Sequence, residues 1–356
     1  MTTSSGYLAD EEAIERFLVL RSEAIAYATA ASQAAWPELF ARRGPQALEA
    51  CAEDIGFHLD FLRPTLETGD LSPFTAYLGW LAQVLASRGV PGDSLARSLD
   101  HLGGFFAERL GSAATPLLAA LAAGREALAG DIPAHCYDRP CPEPWPEAEA
   151  FGNALLEGQR REASALFNQA LDREASLAGA EIHVVQPALY EVGRRWQQNS
   201  VSVAQEHLAT AMAQSLMAQG FGRVEPAADN ARKALLACPA GNHHSVGLRM
   251  VADAFELAGW TVHYLGANVP QAALIAQIRE LRPDLVGLSA SLPQQLRSLR
   301  QTLAALRASL ADGCPRIVVG GLVFNQFPLL AQSFAAELLG ADAVRAAAAA
   351  SASLNG

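Results

Sequence analysis

The sequence contains no paired-cysteine motif. Its five cysteines, among 356 residues, are odd in number, widely scattered and never spaced as Cys-x-x-Cys. They are Cys51, Cys136, Cys141, Cys238 and Cys314. We therefore expect neither a disulfide framework nor a zinc site of the usual type, and reduced thiols of this kind are typical of the cytoplasm.

Long apolar runs and excess positive charge are also missing. No apolar stretch reaches the roughly 18 to 20 residues that a membrane-spanning helix needs, and the N-terminus is polar and acidic rather than signal-like. The formal net charge of −11 argues against direct nucleic-acid binding, because phosphate contacts require clustered Lys and Arg. We expect a cytoplasmic protein that contacts neither a membrane nor a nucleic acid.

The distribution of apolar residues divides the chain into domains. A hydrophobic fraction of 51% with only 18% charged residues is typical of packed helices. Residues 1–128 have apolar residues at helical spacing, residues 129–150 concentrate proline, and residues 151–230 return to helical spacing in four segments. We predict an all-α N-terminal domain, a linker and a four-helix-bundle cap, followed by a further domain at 231–348 and a tail at 349–356.

The periodicity changes after residue 230. Short apolar runs alternate there with helical stretches, which is typical of βαβ units and predicts a Rossmann-like α/β domain with a parallel sheet. The runs are KALLACPA, TVHYLG, LVGLSAS and RIVVGG. Ligands of such sheets bind beyond the carboxyl ends of the strands, so the histidine-containing loop after the first run is the candidate site.

Polar and glycine residues follow three of these runs at defined separations. The pattern is Asn-x-His-x-x-Gly, then 41 residues, Ser-x-Ser, then 28 residues, Gly-Gly. Its residues are Asn242, His244, Gly247, Ser289, Ser291, Gly320 and Gly321. The pattern resembles the cobalamin-binding domain of methionine synthase, corrinoid methyl carriers and B12 photoreceptors, in which Asp replaces the Asn and Leu replaces the second Ser.

This resemblance implies that His244 is the lower axial ligand of cobalt, since imidazole nitrogen suits such metals. The other residues that it assigns to the cofactor are Asn242, Ser245, Val246 and Gly247 in the loop, and Ser289, Ser291, Gly320 and Gly321 along the nucleotide tail. Asn242 replaces the acidic residue that would orient the imidazole, which implies either weaker His ligation or a more labile cobalt bond. The neighbouring His243 breaks the spacing and is not expected to be the ligand.

A second motif lies in the predicted cap. Trp196 is followed after nine residues by Glu206 and His207. This resembles the Trp-x9-Glu-His motif of cobalamin photoreceptors, whose helical bundle covers the upper face of adenosylcobalamin. The resemblance implies that the indole begins a loop and packs against the adenosyl group, although a plain core role is equally compatible, and that Glu206 accepts hydrogen bonds. Gln197 stands where related repressors have a cobalt-capturing histidine, which leaves His207 or water as the upper ligand.

Residues 57–62, 77–81 and 87–91 of the N-terminal region combine aromatic, histidine and arginine side chains on helical segments. They resemble the globin-like helical domain of photocobilins, photoreceptors that pair cobalamin with biliverdin. A bilin needs an aromatic cleft and cations for its propionates. Candidate lining residues are His58, Tyr77, Trp80, Arg88, His135, Tyr137, Arg139 and Trp145. Noncovalent binding is the expectation, although Cys136 and Cys141 leave a covalent link open; the alternatives are that the aromatics are core residues or that His58 ligates haem.

The leading hypothesis is a cobalamin-dependent light sensor that is not an enzyme. Light breaks the cobalt-to-carbon bond of adenosylcobalamin, the cap loses its support, and domain or subunit packing shifts. We expect a homo-oligomer, a dimer, whose assembly depends on light, and an output delivered through an unidentified downstream protein. Two alternatives use the same motifs: a corrinoid methyl carrier of a methyltransferase system, and a cobalamin-responsive regulator without light chemistry.

Overall fold

The computed structural model describes residues 6–130, 141–174, 176–310, 314–328 and 330–352. The chain forms two compact units, Met1–Asp138 and Arg139–Gly356. Within the described residues, no helix combines the length and the hydropathy needed to cross a bilayer.

The N-terminal unit is helical, as the apolar spacing predicts. Its helices are α1 (Glu11–Ala35), α2 (Pro37–Arg43), α3 (Gln46–Thr68), α4 (Ser72–Ser87), α5 (Ser94–Leu110) and α6 (Thr115–Ala129). Asp10 accepts a hydrogen bond from the amide of Ala13 and so caps the start of α1. Gly44 and Gly69 follow α2 and α3 with positive φ, a conformation that ends a helix at little cost in glycine.

The core of this unit is built from aromatic and aliphatic side chains. Phe17 of α1 and Phe106 of α5 are buried with their ring centroids 5.3 Å apart. Helix α6 approaches α4 closely because Gly124 has no side chain: a Cβ there would lie 2.8 Å from the Phe74 ring and 2.7 Å from Leu78. The helical character of the unit is confirmed, and its globin-like subtype stays a prediction.

The cap, predicted as four helices within residues 151–230, is helical and begins slightly earlier, at Ala148. Its helices are α7 (Ala148–Leu156), α8 (Arg160–Glu174), α9 (Leu177–Ala180), which runs through a π-helical turn (Glu181–Val185) into α10 (Gln186–Gln197), and α11 (Val203–Phe221). Ser202 and Gln205 cap the start of α11 reciprocally. Trp196 lies in the last turn of α10 rather than in the following loop, which corrects the prediction.

Pro187 lies in the first turn of α10, just after the π-helical turn. Proline has no N–H to donate to the carbonyl four residues earlier, which is that of His183. This carbonyl accepts instead a hydrogen bond from the backbone N–H of Trp145, at 2.9 Å. The chain is therefore attached to the cap from Trp145 onward. The linker predicted at 129–150 extends too far, because its last residues already belong to the cap.

The remainder of the second unit contains the predicted parallel sheet. Its strands, β1 (Lys233–Pro239), β2 (Thr261–Val269), β3 (Leu285–Ser289) and β4 (Arg316–Gly320), lie in the order β2-β1-β3-β4. The helices are α12 (Val246–Leu257), α13 (Gln271–Leu281), α14 (Leu296–Leu310), α15 (Leu322–Gln326), α16 (Leu330–Ser333) and α17 (Ala343–Ala352). All four strands coincide with the apolar runs seen in the sequence.

Strand β1 is buried on both of its faces. Ala234, Leu236 and Cys238 belong to a hydrophobic cluster that also contains the buried residues of the cap. Leu235 and Ala237, which alternate with them, belong to a second cluster with residues of α13 and α14. The cap and the α/β domain therefore share one core.

The end of the chain differs from the prediction. Helix α17 continues to Ala352, so residues 349–352 are not a tail. Ala350 is fully buried, and the indole N–H of Trp260 donates a hydrogen bond of 3.2 Å to the hydroxyl of Ser351. Alanine has the highest helix propensity and its small side chain permits close packing on α12, which explains the extension.

Candidate functional site

The candidate site lies where the strand order reverses. Strand β1 lies between β2 and β3 in the sheet. The chain leaves β1 toward β2 and leaves β3 toward β4, so the two connections run in opposite directions from the β1–β3 boundary. A crevice forms beyond the carboxyl ends of two such strands, and it is the usual ligand position in open α/β sheets. The loop that follows β1 carries His244, and the loop that follows β3 carries Ser291.

Asn242 joins the two loops. Its side chain is fully buried, and its Nδ2 donates a hydrogen bond of 2.7 Å to the carbonyl of Ser289. Its Oδ1 accepts one of 3.0 Å from the backbone N–H of His244. The side-chain amide of Asn242 therefore links the backbone of the two loops. An aspartate could not donate to the Ser289 carbonyl, because a carboxylate has no N–H.

His244 itself is exposed on this loop. Its carbonyl lies 3.5 Å from the hydroxyl of Ser291 and 3.7 Å from the thiol of Cys238. Ser289 and Ser291 are both buried beneath the loop. The backbone at position 244 is thus supported from the sheet, while the imidazole faces outward.

Gln295 was missed by the sequence reasoning. Its Oε1 accepts hydrogen bonds from the backbone N–H groups of Ser291, at 2.7 Å, and Leu292, at 3.1 Å. Its Nε2 donates to the carbonyl of Gly241 at 3.4 Å. Gln295 therefore forms a second clamp between the two loops; no spacing signal marks it, because it lies outside the motif in a single turn of 3-10 helix.

The two glycines after β4 have different roles. Gly321 has φ +99° and packs so closely that a Cβ would lie 2.2 Å from the carbonyl oxygen of Ala290. A Cβ on Gly320 or on Gly247 would meet no atom within 4 Å. Gly321 is required by the backbone, whereas Gly320 and Gly247 border open space beside the loops.

These features fit a corrinoid. An exposed imidazole on a well-supported loop can ligate cobalt from below. The open space next to Gly247 and Gly320 leaves room for a ligand against the backbone, and Ser289 and Ser291 are buried beneath the His244 loop. The residues that the motif selects are thus brought together around one crevice.

The motif residues of the cap lie on two packed helices, α10 and α11. The carboxylate of Glu206 accepts a hydrogen bond of 3.0 Å from the hydroxyl of Thr210 and contacts Nδ1 of His207. Val203 and Leu208 are about half exposed on the same turns of α11. Apolar side chains exposed beside a polar pair suit a ligand with both aromatic and hydroxyl groups, and the sequence reasoning missed them.

Arg195 anchors the end of α10, next to Trp196. Its guanidinium donates to Asn153 of α7 at 2.7 Å and to Glu191 at 2.8 Å. Hydrogen bonds from Arg194 and Arg195 lower the pKa of Glu191 below its usual range. The last turn of α10 is therefore tied to α7, which fixes the backbone that carries Trp196.

Trp145, a candidate bilin contact, is a packing residue of the cap. Its ring stacks on His183 with centroids 4.9 Å apart and an interplanar angle of 8°. The guanidinium of Arg173 lies 5.2 Å from the ring centroid. Both neighbours belong to the cap, so Trp145 packs within the cap, and its contact with a bilin stays a prediction.

Two of the other bilin candidates line a pocket in the N-terminal unit. His58 and Arg88 contribute to a pocket of about 170 Å³, whose wall also contains Trp36, Cys51 and Asp54. A pocket of about 330 Å³ is lined by residues of α2 and its surroundings and shares Phe40 with the first. The aromatic residues at 36 and 40 were not among the candidates.

Tyr77 and Trp80 are not in the described wall of either pocket. Tyr77 is buried, and its ring stacks on Phe61 with centroids 4.0 Å apart. Tyr77 is therefore a core residue, which is the alternative that the helical spacing left open. His135, Tyr137 and Arg139 lie outside the described residues.

The geometry of His58 contradicts haem ligation. Its Nδ1 is 2.8 Å from the hydroxyl of Tyr77 and its Nε2 is 3.0 Å from the hydroxyl of Ser98, so both ring nitrogens are hydrogen-bonded. Burial lowers the pKa of His58 to about 3. The imidazole is neutral and has a structural role at the base of the pocket.

Comparison with known proteins identifies the class of the second unit. Residues 232–352 match a family model described as a B12 binding domain, and residues 147–219 match a second model with the same description. These matches support cobalamin binding by the chain.

Two curated relatives are similar over part of their length. The chain is 42% identical over 103 residues to the HTH-type transcriptional repressor CarA of Myxococcus xanthus, covering 29% of this chain and 34% of CarA. It is 32% identical over 183 residues to the HTH-type transcriptional repressor CarH of the same organism, covering 50% of this chain and 58% of CarH. The chain thus spans about a third of one relative and rather more than half of the other.

A solved structure supports the fold. The monomethylamine corrinoid protein of Methanosarcina barkeri is similar with a TM-score of 0.50 and 16% identity, over 57% of this chain and 96% of that chain. At this identity the likeness shows the fold alone.

We expect substitutions at the two neighbouring glycines to separate stability from binding. Gly321→Ala should lower the free energy of unfolding by about 2–4 kcal/mol, because it combines a clash with backbone strain. Gly320→Ala should change stability by no more than about 0.5 kcal/mol, yet weaken cobalamin binding by placing a methyl group in the crevice. Urea denaturation and cobalamin titration measure the two effects. Unchanged binding by a folded Gly320→Ala variant would contradict the proposed path of the cofactor.

Restoring the acidic residue of the motif should weaken the site. Asn242→Asp removes the donor to the Ser289 carbonyl and sets a carboxylate against it, which we expect to cost about 2–4 kcal/mol of stability and to weaken cobalamin binding. Asn268→Asp is the matched control, because Asn268 uses its side-chain oxygen to accept from Gly241 and an aspartate keeps that acceptor. Tighter binding by Asn242→Asp would show that the buried amide is dispensable.

His58→Ala should destabilise the N-terminal unit by about 2–4 kcal/mol, since it leaves a cavity and removes one hydrogen bond from each of the hydroxyls of Tyr77 and Ser98. The folded pKa lies below the ordinary value of 6.5, so the unfolded state binds the proton more tightly and wild-type stability is lost as the pH falls below 6.5. Urea denaturation at pH 7.5 and pH 5 should show a smaller acid effect in the variant. Ser98→Ala, which keeps the imidazole, is the control; equal acid sensitivity of His58→Ala and wild type would contradict the assignment.

Proposed function

We propose that this chain is a light sensor that holds adenosylcobalamin between the cap and the α/β domain. The observation that carries the proposal is the exposed His244, which lies where the strand order reverses. The α/β domain that bears it shares its core with a helical cap. That cap bears Trp196, Glu206 and His207. The similarity to the repressors CarA and CarH supports a regulatory rather than a catalytic role.

Each residue has a defined task in this proposal. Bound adenosylcobalamin supplies a cobalt-to-carbon bond that visible light breaks. His244 would hold the cobalt, and the clamps made by Asn242 and Gln295 hold its loop in position. Trp196 covers the adenosyl group while Glu206 accepts its hydrogen bonds, so that the cap depends on an intact upper ligand.

The output is a change in packing. If light released the upper ligand, Trp196 and Glu206 would lose their partner, and the cap and its oligomeric contacts would rearrange. We propose a homo-oligomer, a dimer, with light-dependent assembly, and an output through a partner protein without direct DNA contact. The net charge of −11 supports the last point.

Biliverdin is the proposed second chromophore, in the N-terminal pocket. Arg88 supplies a cation for a propionate, and Asp54, whose pKa is raised to about 6 by burial, supplies an acceptor for pyrrole N–H groups. The volume of about 170 Å³ is below the roughly 300–1,000 Å³ of usual ligand pockets. A bilin must therefore extend into the neighbouring pocket by displacing Phe40.

Absorption spectroscopy tests the light response. The chain loaded with adenosylcobalamin in darkness should change its visible spectrum and its gel-filtration volume on illumination. His244→Ala should lose cobalamin affinity, whereas His243→Ala, an exposed neighbour outside the motif, should behave as wild type. Addition of biliverdin should produce a red-region band that Arg88→Ala weakens.

Identical dark and illuminated spectra and elution volumes would reject the light sensor. Loading with methylcobalamin and methyl transfer to an acceptor would then favour the methyl carrier, and cobalamin-dependent but light-independent partner binding would favour the other regulator. Wild-type affinity in His244→Ala would remove the assigned cobalt ligand.

A further inference from the structure

A pair of acidic side chains lies inside the shared core of the cap and the α/β domain. Glu181 begins the π-helical turn of the cap, Asp253 lies on α12, and neither has any exposed surface. Carboxylates are rarely buried without partners, because desolvation strongly disfavours the charged form. The pair therefore needs an explanation from its surroundings.

The two carboxyl groups have unequal partners. Nη2 of Arg249, one turn earlier on α12, lies 2.5 Å from Oδ1 of Asp253 and balances its charge. Among the described residues, no N–H or O–H group donates to either side-chain oxygen of Glu181. Burial, followed by the charge of Asp253 and hydrogen bonding to it, raises the pKa of Glu181 well above its ordinary value, while Arg249 has the opposite effect. Neither oxygen of Asp253 has a hydrogen-bond donor of good geometry among the described residues either. The burial of both groups and the raised pKa of Glu181 therefore favour a protonated, neutral Glu181.

The pair is connected to the loop of the cobalt ligand. The guanidinium of Arg249 lies 5.5 Å from the ring centroid of Tyr264 on β2. The hydroxyl of Tyr264 donates a hydrogen bond of 3.1 Å to the carbonyl of Ser245, which adjoins His244. These contacts lead from Asp253 through Arg249 and Tyr264 to the loop that carries His244.

We propose that Glu181 and Asp253 share one proton and act as positioning residues that dock the cap on the helix following the cobalt-binding loop. The effect of this docking on cobalamin binding rests on the proposed function. The shared proton itself does not. Ionisation of Glu181 would place two negative charges in contact inside the core, and the cap would separate from α12.

The groups that face the pair favour this arrangement. Helix α12 contributes Arg249 and the partly exposed Glu256, and the nearby sheet residues are Tyr264 and Cys238, whose pKa values are both raised by burial. Helix α17, which packs on α9 and α12, buries only alanines. Arg249 is thus the cation that faces the pair among these groups, and it is engaged with Asp253.

Infrared spectroscopy of the cobalamin-free chain tests the shared proton. At neutral pH a protonated carboxyl band should be present in wild type and should lose most of its intensity in Glu181→Gln, which keeps the shape and the donor; Asp54 accounts for a weak remainder. Glu256→Gln, which removes a partly exposed acid from the same helix, is the control and should keep the band. A band unaffected by Glu181→Gln would overturn the proposal.

The pH dependence of unfolding gives an independent measurement. A raised pKa means that the folded state binds the proton more tightly, so this stabilisation is complete below about pH 4.5 and is lost as the pH rises to the folded pKa. The ratio of the unfolding constants of wild type and Glu181→Gln should therefore increase about tenfold per pH unit over that interval. The pH-dependent stability of the N-terminal unit is the same in both proteins and cancels in this ratio. A ratio that does not change with pH would contradict the shared proton.

The positioning role is tested by cobalamin titration. Glu181→Gln should bind as wild type, whereas Glu181→Ala, which leaves the Asp253–Arg249 pair without its neighbour, should bind at least about tenfold more weakly, a loss of about 1.4 kcal/mol. Equal affinities of the Ala and Gln variants would overturn the positioning role. A chain that shows the proton dependence but no response to light would reject the light sensor and leave this inference intact.

Discussion

The burial of strand β1 on both faces is the constraint on which the site depends. Because successive side chains point in opposite directions, Leu236 packs toward the cap and Leu235 toward α13 and α14. The loop that leaves this strand is held by layers on both sides before any cofactor is present. An imidazole on such a loop has a supported backbone, which a metal ligand on a free surface loop would lack.

The sequence allowed the strands, the cap helices and the residues of the crevice to be predicted, because their signals are local. An apolar run marks a buried strand, and the separations from Gly247 to Ser289 and from Ser291 to Gly320 reflect whole βα units. The roles of Gln295 and Glu181 were not predictable in this way. Each depends on a partner that is distant in the chain, and one glutamine or glutamate in a helical stretch carries no sign of burial.

Asn242 shows how a motif can keep its position and change its task. The motif alone suggested an impaired version of a residue that orients the imidazole. In the structure the amide uses both of its functions on backbone, donating to Ser289 and accepting from His244. The orientation of the imidazole therefore depends on the loop and on the cofactor. Compared with the aspartate of the usual motif, Asn242 adds an N–H donor.

The carbonyl of His183 has a wider importance than its single hydrogen bond indicates. Pro187 has no N–H to donate to it, and the N–H of Trp145 donates to it instead. The same five-residue turn begins with Glu181, so one short segment bears both the buried acid and the point at which the incoming chain is secured. A change in the backbone of this turn would therefore also displace the backbone at Trp145, which lies outside the helices of the bundle.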